Sequence, residues 1–280
     1  MTNQSAFNFF KEQLILFYPE TEAKAMAEIV FEDVFGLSKS AFSNILDKEF
    51  NENEKLNKLL KRLKTYEPLQ HIIGFTFFKG LKININPDVL IPRPETEELL
   101  DWILEDTKET PKIIADICTG SGCIVLALKK HYKLANCIAT DVSEKALETA
   151  KKNEKQLFNT SEIKFAKHNC LQEEWHFEWP DIVISNPPYI AASESAKMNK
   201  NVLAFEPHLA LFAPENDVLI FYKSIIQLFF KQKMPVIYFE LNPLTAKDLS
   251  LYCEELGLSI LLKEDMYGKL RFAKLGHNMG

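Results

Sequence analysis

From about residue 112 onward, apolar runs too short for helices alternate along the chain with longer amphipathic stretches. The runs predict strands, and most of the intervening stretches predict helices. Strand–helix–strand repetition is typical of a mainly parallel sheet with helices on both faces. Residues 264–268 are too few for a crossover between the last two strands, so the final strand should run antiparallel to its neighbour. The predicted strands are 112–117, 135–140, 162–167, 181–185, 234–240, 258–263 and 269–275, and the predicted helices are 95–108, 123–132, 143–157, 217–232 and 244–256.

The N-terminal part of the chain has a different pattern. Apolar residues recur there at intervals of three and four, which predicts a small helical module. Between residues 75 and 86, two alternating runs flank Lys79-Gly80 and predict a β-hairpin that leads into a proline-stiffened connector. We therefore expect two domains, 1–85 and 86–280, the second with a Rossmann-like, doubly wound α/β fold built on a seven-stranded sheet. The predicted N-terminal helices are 4–18, 20–35, 40–48 and 52–66.

Composition narrows the class of protein. The 280 residues are 46% apolar, which is enough to fill the core of one large domain or two modest ones. A net charge of −6 disfavours non-specific binding to nucleic acid. The five cysteines include no Cys-x-x-Cys pair and the six histidines show no metal-binding spacing, so we expect reduced thiols and no metal site. Because neither a signal peptide nor a membrane span is evident, we expect a soluble, cytoplasmic protein.

The segment Ile113-Ile-Ala-Asp-Ile-Cys-Thr-Gly-Ser-Gly122 places a carboxylate at the end of a strand and a turn of small residues directly before a helix. Doubly wound folds bind nucleotides at such a turn. Asp141 ends the next strand, about 20 residues after the glycines, at the spacing of a ribose-binding carboxylate. Val125 replaces the third glycine of the dinucleotide fingerprint, so another nucleoside ligand is favoured over NAD. Alternatively, the turn is only a strand-to-helix connection and Asp141 a helix N-cap.

The tetrapeptide Asn186-Pro-Pro-Tyr189 follows a later strand and should reach the same edge of the sheet. Consecutive prolines restrict the backbone and remove two donors, which leaves carbonyl acceptors free. The Asn186 amide oxygen and the Pro187 carbonyl can each accept one hydrogen of a planar NH₂ group, and the ring of Tyr189 can stack on its plane. Such acceptors favour methyl transfer to that nitrogen, because they bind most strongly when it gains positive charge. The alternative is a proline-rich loop that caps a strand.

The loop and the tetrapeptide resemble those of class I S-adenosylmethionine-dependent amino-methyltransferases. More narrowly, three further segments resemble the release factor glutamine methyltransferase family, and the match extends through essentially the whole chain. The second segment is the most specific, since Asn-Pro-Pro-Tyr is shared with adenine and ribosomal guanine methyltransferases. The three segments are Pro68-Leu-Gln-His-Ile-Ile-Gly74, Leu90-Ile-Pro-Arg-Pro-Glu-Thr-Glu97 and Phe205-Glu-Pro-His-Leu-Ala-Leu211.

The resemblance implies an enzyme that uses S-adenosyl-L-methionine to methylate the glutamine amide in the Gly-Gly-Gln motif of peptide chain release factors. Release factors are then its partners, the N-terminal domain recognises them, and neither membrane nor direct nucleic-acid binding is expected. The implied catalytic residues are Asn186, Pro187 and Tyr189, and Pro188 joins them in substrate binding. The implied cofactor-binding residues are Cys118, Thr119, Gly120, Ser121, Gly122, Asp141, Asn169, Cys170 and Asn186.

Three residues depart from the family pattern. Cys118 stands where the family usually has the first glycine of the loop, Asn169 where it usually has aspartate, and Cys170 where a bulky residue is common. None of these changes removes a reacting group.

Several other residues have less specific interpretations. We expect Arg93, Glu95 and Thr96 beside the cofactor as a lid or positioning segment. A helix that begins at Pro94 explains the acidic residue Glu95 almost as well, since acidic side chains are favoured in the first turn of a helix. Glu206 either orders the loop after Tyr189 or contacts the substrate. Glu240, at the end of a strand, is expected to be structural.

Two other functions stay open on the sequence. The first is a DNA adenine or rRNA guanine amino-methyltransferase that uses the same tetrapeptide. The second is a cofactor-binding adaptor of translation termination that has no catalytic activity.

Overall fold

The computed structural model describes residues 1–37, 46–230 and 234–276. The chain divides into two compact units, Met1–Gly74 with Lys200–Phe205, and Phe75–Asn199 with Glu206–Gly280. The hairpin therefore lies in the larger unit, whereas the sequence groups it with the N-terminal domain. A functional boundary at residue 85 stays a prediction. Apart from 46–48, which form a turn, the predicted helix over 40–48 lies outside the described residues.

The smaller unit is helical and has its own apolar core. Phe10, Leu14 and Phe31 are almost completely buried in it, together with Leu56 and Leu63. The predicted helix over 52–66 ends early, at Leu63, because Tyr66 adopts a left-handed φ of 62° that no helix tolerates. The helices are α1 (Asn3–Ile15), α2 (Glu20–Ile29, continued by a π-helical turn at Val30–Val34), α3 (Asn53–Leu63), α4 (Leu69–Ile73) and a short helix at Lys200–Phe205.

The larger unit contains the hairpin and one seven-stranded sheet. Lys79 and Gly80, with φ of 47° and 70°, turn the chain between β1 (Phe75–Phe78) and β2 (Leu81–Asn84). Positive φ at both turn residues matches the twist of a two-residue hairpin. The strands of the sheet are β3 (Ile113–Ile117), β4 (Asn136–Asp141), β5 (Ile163–Lys167), β6 (Ile182–Ser185), β7 (Val236–Glu240), β8 (Ser259–Glu264) and β9 (Leu270–Gly276).

The strand order is β5-β4-β3-β6-β7-β9-β8; β9 runs antiparallel to both of its neighbours, β7 and β8, and the pairings from β5 to β7 are parallel. The expected mainly parallel sheet with an antiparallel last strand is therefore confirmed. Because the order reverses between β3 and β6, the connections leave these strands in opposite directions and open a crevice at their carboxyl ends.

Helices cover both faces of this sheet, as its alternating side chains require. Ile182 and Ile184 of β6 point into the core beneath the helices of one face, and Val183 points into the other core. The helices are α5 (Pro94–Asp106), α6 (Cys123–His131), α7 (Glu144–Phe158), α8 (Ile220–Phe230) and α9 (Ala246–Glu255), with short helical segments at Ala192–Lys197, His208–Leu211 and Pro243–Thr245. Within the described ranges, no helix has the length and apolar character needed to cross a membrane.

Candidate active site

A cavity of about 260 Å³ opens at the carboxyl edge of the sheet, at the reversal of strand order. About half of its lining residues end or follow four adjacent parallel strands. Strand β3 contributes Cys118, Thr119, Gly120 and Ser121, strand β4 contributes Asp141, Val142 and Ser143, strand β5 contributes His168, Asn169 and Cys170, and strand β6 contributes Asn186 and Pro188. Most of the residues predicted for cofactor and substrate are thus brought together.

The loop after β3 approaches the cavity with its backbone. Gly120 has a φ of 55°, and a Cβ added to it would meet no atom within 4 Å, so open space lies beside this residue. Gly122 does not line the cavity; a Cβ there would lie 3.0 Å from Ala150 Cβ, because the start of α6 packs closely against α7. Cys118 adopts a left-handed φ of 62°, a conformation that favours glycine.

Asp141 is held at the cavity wall by two backbone amides. Its Oδ2 accepts a hydrogen bond from Gly120 N at 2.9 Å, and its Oδ1 accepts one from Ser143 N at 2.9 Å. Burial raises the pKa of this carboxyl, while the same two hydrogen bonds lower it. Each oxygen keeps a lone pair for a further donor, so the group can accept from ligand hydroxyls.

Asp116 lies beneath the loop in a fully buried position. Its Oδ2 accepts from Thr119 Oγ1 at 2.6 Å and from Val125 N at 3.3 Å, whereas Oδ1 has no hydrogen-bond partner among the described residues. Burial raises the pKa of Asp116 to about 7, and the negative charge of Asp141 contributes to the rise. Of these two acids, Asp141 lines the cavity, and its carboxylate suits a ligand that carries positive charge.

The wall after β5 is less open to a ligand than the sequence suggests. The Oδ1 of Asn169 accepts from Leu171 N at 3.1 Å, so this oxygen already stabilises its own turn. The side chain of Cys170 is buried, and Cys118 and Cys170 both line the cavity. His168, to which the sequence analysis assigned no role, lines the cavity, and its Nε2 lies 3.2 Å from the carbonyl oxygen of Glu174.

The tetrapeptide after β6 divides between the cavity and the core. Asn186 and Pro188 line the cavity; within the described part of the chain, Pro187 and Tyr189 are not among its lining residues. The phenol of Tyr189 donates to Glu240 Oε1 at 3.0 Å, and burial raises the pKa of this phenol. The Asn186 Nδ2 lies 3.4 Å from Thr96 Oγ1. The structure therefore ties the tetrapeptide to α5 and β7, contacts that the sequence analysis missed.

An ion pair between a buried carboxylate and a partly exposed arginine joins two further segments that line the cavity. Glu206 Oε1 accepts from Arg93 Nη2 at 2.5 Å, and its Oε2 accepts from Ile91 N at 3.2 Å. Arg93 and Thr96 line the cavity as expected, but Glu95 does not, judged on the described residues. Of the two interpretations left open for Glu206, the geometry favours the ordering of a loop, because its carboxylate is 1% exposed and both of its oxygens accept from Ile91 or Arg93.

S-adenosylmethionine combines a nucleoside with a positively charged methionyl part, and the cavity residues fit such a group. The open space beside the Gly120 backbone leaves room for the methionyl part, and the carboxylate of Asp141 at the cavity wall can accept hydrogen bonds from the ribose hydroxyls. A doubly wound seven-stranded sheet with this cavity at its carboxyl edge defines a Rossmann-like class I methyltransferase.

Comparisons with known proteins identify the family. The methyltransferase small domain matches residues 96–206, and the PrmC N-terminal domain matches residues 6–74. The release factor glutamine methyltransferase of Flavobacterium psychrophilum is 37% identical over 95% of this chain and 96% of its own length. That of Bacteroides thetaiotaomicron is 34% identical over 94% and 96%. The chain belongs to the release factor glutamine methyltransferase family and is an S-adenosylmethionine-dependent enzyme, which confirms the family, activity and cofactor predicted from the sequence.

Solved structures share the fold alone. The catalytic domain of hMettl16 in complex with the MAT2A 3'UTR hairpin 6 has a TM-score of 0.58, with 23% identity over 71% of this chain and 76% of that chain. The N-terminal domain of human METTL16 in complex with SAH has a TM-score of 0.51, with 22% identity over 71% and 76%.

Proposed function

We propose that this protein transfers a methyl group from S-adenosylmethionine to the side-chain amide nitrogen of the glutamine in the Gly-Gly-Gln motif of release factors. The observation that carries the proposal is that Asn186 and Pro188 line the same cavity as Gly120 and Asp141. A group that can hold an NH₂ thus adjoins a site that fits the cofactor. The release factor glutamine methyltransferases to which the chain is similar support the choice of substrate.

The cofactor would bind across the ends of β3, β4 and β5. When bound, it supplies an electrophilic methyl carbon on a positively charged sulfur. The loop after β3 would hold the methionyl part, and Asp141 would accept from the ribose hydroxyls with its free lone pairs. Asn169 and Cys170 would flank the adenine. Gly122 would contribute indirectly, because its close packing on Ala150 sets the course of the loop. The proposed cofactor-binding residues are Cys118, Thr119, Gly120, Ser121, Gly122, Asp141, Asn169, Cys170 and Asn186.

The glutamine amide would be held by the tetrapeptide. The Asn186 amide oxygen and the Pro187 carbonyl each accept one of its two hydrogens, which directs the nitrogen lone pair towards the electrophilic carbon. Positive charge moves onto the nitrogen as the N–CH₃ bond forms and the S–CH₃ bond breaks, so both acceptors bind the transition state more strongly than the ground state. The neutral thioether S-adenosylhomocysteine would be the leaving product, and the methylated nitrogen would then lose one of its two N–H protons to water. Pro188 restricts the backbone of Pro187. Because Glu240 holds the phenol of Tyr189, the ring is the part of this residue left for the amide plane.

Residues 1–85 would recognise the release factor, and the enzyme would act in the cytoplasm, where release factors function, without direct contact to membrane or nucleic acid. The net charge of −6 supports a protein substrate, since it repels a phosphate backbone.

The test offers purified protein and methyl-labelled cofactor separately to a release factor, to DNA and to rRNA. We expect label in the release factor only, on the glutamine of its Gly-Gly-Gln motif, as located by mass spectrometry of the digested product. A release factor with that glutamine changed to alanine is the control and should stay unlabelled. Label in nucleic acid alone would refute the proposal.

A further inference from the structure

Glu240, at the carboxyl end of β7, joins two parts of the site that are far apart in sequence. It is 1% exposed. Its Oε2 accepts from Thr96 Oγ1 at 2.6 Å, and its Oε1 accepts from Tyr189 Oη at 3.0 Å. Both oxygens of one buried carboxylate are therefore occupied by hydroxyl groups that adjoin the cavity or the tetrapeptide.

Both hydrogen bonds run from a hydroxyl to the carboxylate form of Glu240. Burial raises the pKa of Glu240 and the negative charge of Glu95 adds to the rise, while the two hydroxyl donors and the positive charge of Arg271 on β9 oppose it. A carboxylate has no hydrogen to donate, so both hydroxyls must direct their hydrogens at it. The hydroxyl of Thr96 thereby uses its single hydrogen, and only lone pairs remain on Oγ1.

Those lone pairs select the orientation of the Asn186 amide. Nδ2 of Asn186 lies 3.4 Å from Thr96 Oγ1. An amide NH₂ only donates and an amide oxygen only accepts, so an acceptor at Thr96 favours the NH₂ on its side. Oδ1 is then turned away from Thr96. A rotation of 180° about the last side-chain bond would instead present NH₂ to the NH₂ of the substrate, donor against donor.

We propose that Glu240 is a positioning residue for methyl transfer, which acts through Thr96 to orient the Asn186 amide and directly to fix the phenol of Tyr189. The proposal rests on the proposed function, in which Asn186 Oδ1 accepts from the glutamine amide. Glu240 itself does not line the cavity, on the described part of the chain, and needs no contact with substrate or cofactor.

The first variant is Glu240→Gln, which keeps the shape but can donate to Thr96. The Thr96 hydrogen is then free to turn to Asn186, and both orientations of the amide become populated. We expect kcat to fall about 10- to 100-fold, as for partial loss of a preorganised acceptor, while the cofactor dissociation constant changes less than about twofold. In ¹H–¹⁵N spectra, the side-chain amide signal of Asn186, assigned by its loss in Asn186→Ala, should shift or double.

Variants of Thr96 separate positioning from mere structure. Thr96→Val removes the hydroxyl at nearly constant volume and should lower kcat like Glu240→Gln, whereas Thr96→Ser keeps the hydroxyl and should retain most activity. The double variant Glu240→Gln, Thr96→Val should lose no more activity than Glu240→Gln alone, because the chain of hydrogen bonds through Thr96 is already interrupted in that single variant.

Glu154→Gln is the matched control. Glu154 is also a buried acid, but it accepts from the backbone amides of Glu162 and Ile163, remote from the tetrapeptide. The variant Glu154→Gln should lower the midpoint temperature of thermal unfolding but should not show the fall in kcat expected for Glu240→Gln. If Thr96→Ser is as impaired as Thr96→Val, or if the losses in the double variant multiply, the positioning role is refuted. If the wild type does not label a release factor in the same assay, the proposed function fails, and this proposal fails with it.

Discussion

Asp141 ends β4 and Asn186 follows β6, the two strands on either side of β3, and the proposed mechanism gives these residues different tasks. Replacing Asn186 by alanine removes an acceptor that matters most in the transition state. We expect kcat to fall about 10²- to 10³-fold while the cofactor dissociation constant stays near that of the wild type. Isothermal titration with the cofactor and steady-state rates with a release factor measure the two quantities.

Asp141→Ala is the opposite case. It removes a carboxylate that holds Gly120 N and Ser143 N, so the loop and the proposed ribose contact are lost together. The cofactor dissociation constant should rise at least tenfold, by the loss of charged hydrogen bonds of about 1.5–3 kcal/mol each. Rates at saturating cofactor should fall much less than in Asn186→Ala. Equal changes in both constants for both variants would contradict the division of tasks.

Asp116 should make the stability of the protein depend on pH. Its pKa is about 7 in the folded chain and 3.8 without the fold, so between these values the unfolded state releases a proton that the folded state keeps. The stabilisation is therefore complete below about pH 4 and is lost as the pH rises through 7. Relative to Asp116→Asn, the wild type should lose about 4 kcal/mol over this range.

Urea denaturation of both proteins at pH 4 to 8, without cofactor, measures this difference. Asparagine does not titrate, so the substitution itself changes the free energy of unfolding by an amount that does not depend on pH. The contributions of the other ionisable groups are the same in both proteins and cancel in the difference. A difference that is flat with pH, or that grows in favour of the wild type as the pH rises, would contradict the prediction.

At the residue scale, the sequence predicts those site residues whose position follows from the ends of strands. The loop after β3, Asp141 and Asn186 are predicted for this reason, since parallel strands deliver their carboxyl ends to one edge. The network behind them could not be predicted, because Thr96 and Glu240 are separated by 144 residues along the chain. No local pattern distinguishes a strand-terminal acid that orients a neighbour from one that only packs.

At the element scale, the strands are predicted to within two residues because each is a short apolar run bounded by turns. The short connection over residues 264–268 requires only that β8 and β9 pair with each other. It does not predict that β9 lies between β7 and β8. The short helices at Ala192–Lys197 and His208–Leu211 were also missed. Each spans too few residues to show a helical period.

The ion pair of Glu206 joins the segments before α5 and before His208–Leu211, both of which line the cavity. In Glu206→Ala, the buried Ile91 N–H loses its acceptor and Arg93 loses its partner. We expect the cofactor dissociation constant to rise about 5- to 30-fold, which corresponds to 1–2 kcal/mol, since Arg93 is one-third exposed and part of its contribution is screened.

Arg93→Met is the matched control, because it leaves the hydrogen bond between Ile91 N and Glu206 intact. Its effect on cofactor binding should be clearly smaller than that of Glu206→Ala. If Arg93→Met weakened binding as much as Glu206→Ala did, the hydrogen bond from Ile91 N to Glu206 would contribute nothing to cofactor binding, which contradicts the prediction.

At the scale of the whole molecule, the two compact units separate the proposed tasks of docking and chemistry. The smaller unit exposes Leu16 to 72% at the end of α1, and the larger unit exposes Leu134 to 92% between α6 and β4. Exposed apolar side chains contribute to protein interfaces only where a partner covers them. The two leucines therefore form a matched pair on the two units.

If the smaller unit docks the release factor, Leu16→Asp should raise KM for the intact release factor about tenfold, the effect of losing one apolar contact of about 1–2 kcal/mol. The kcat, the cofactor dissociation constant and the methylation of a short peptide with the Gly-Gly-Gln motif should not change, since none of them requires docking. Leu134→Asp should leave all four quantities unchanged. Equal effects of the two variants on KM would contradict a docking role for the smaller unit. An effect of Leu16→Asp on the short peptide would contradict it as well, because an introduced aspartate that acted by destabilising the protein would impair the methylation of every substrate.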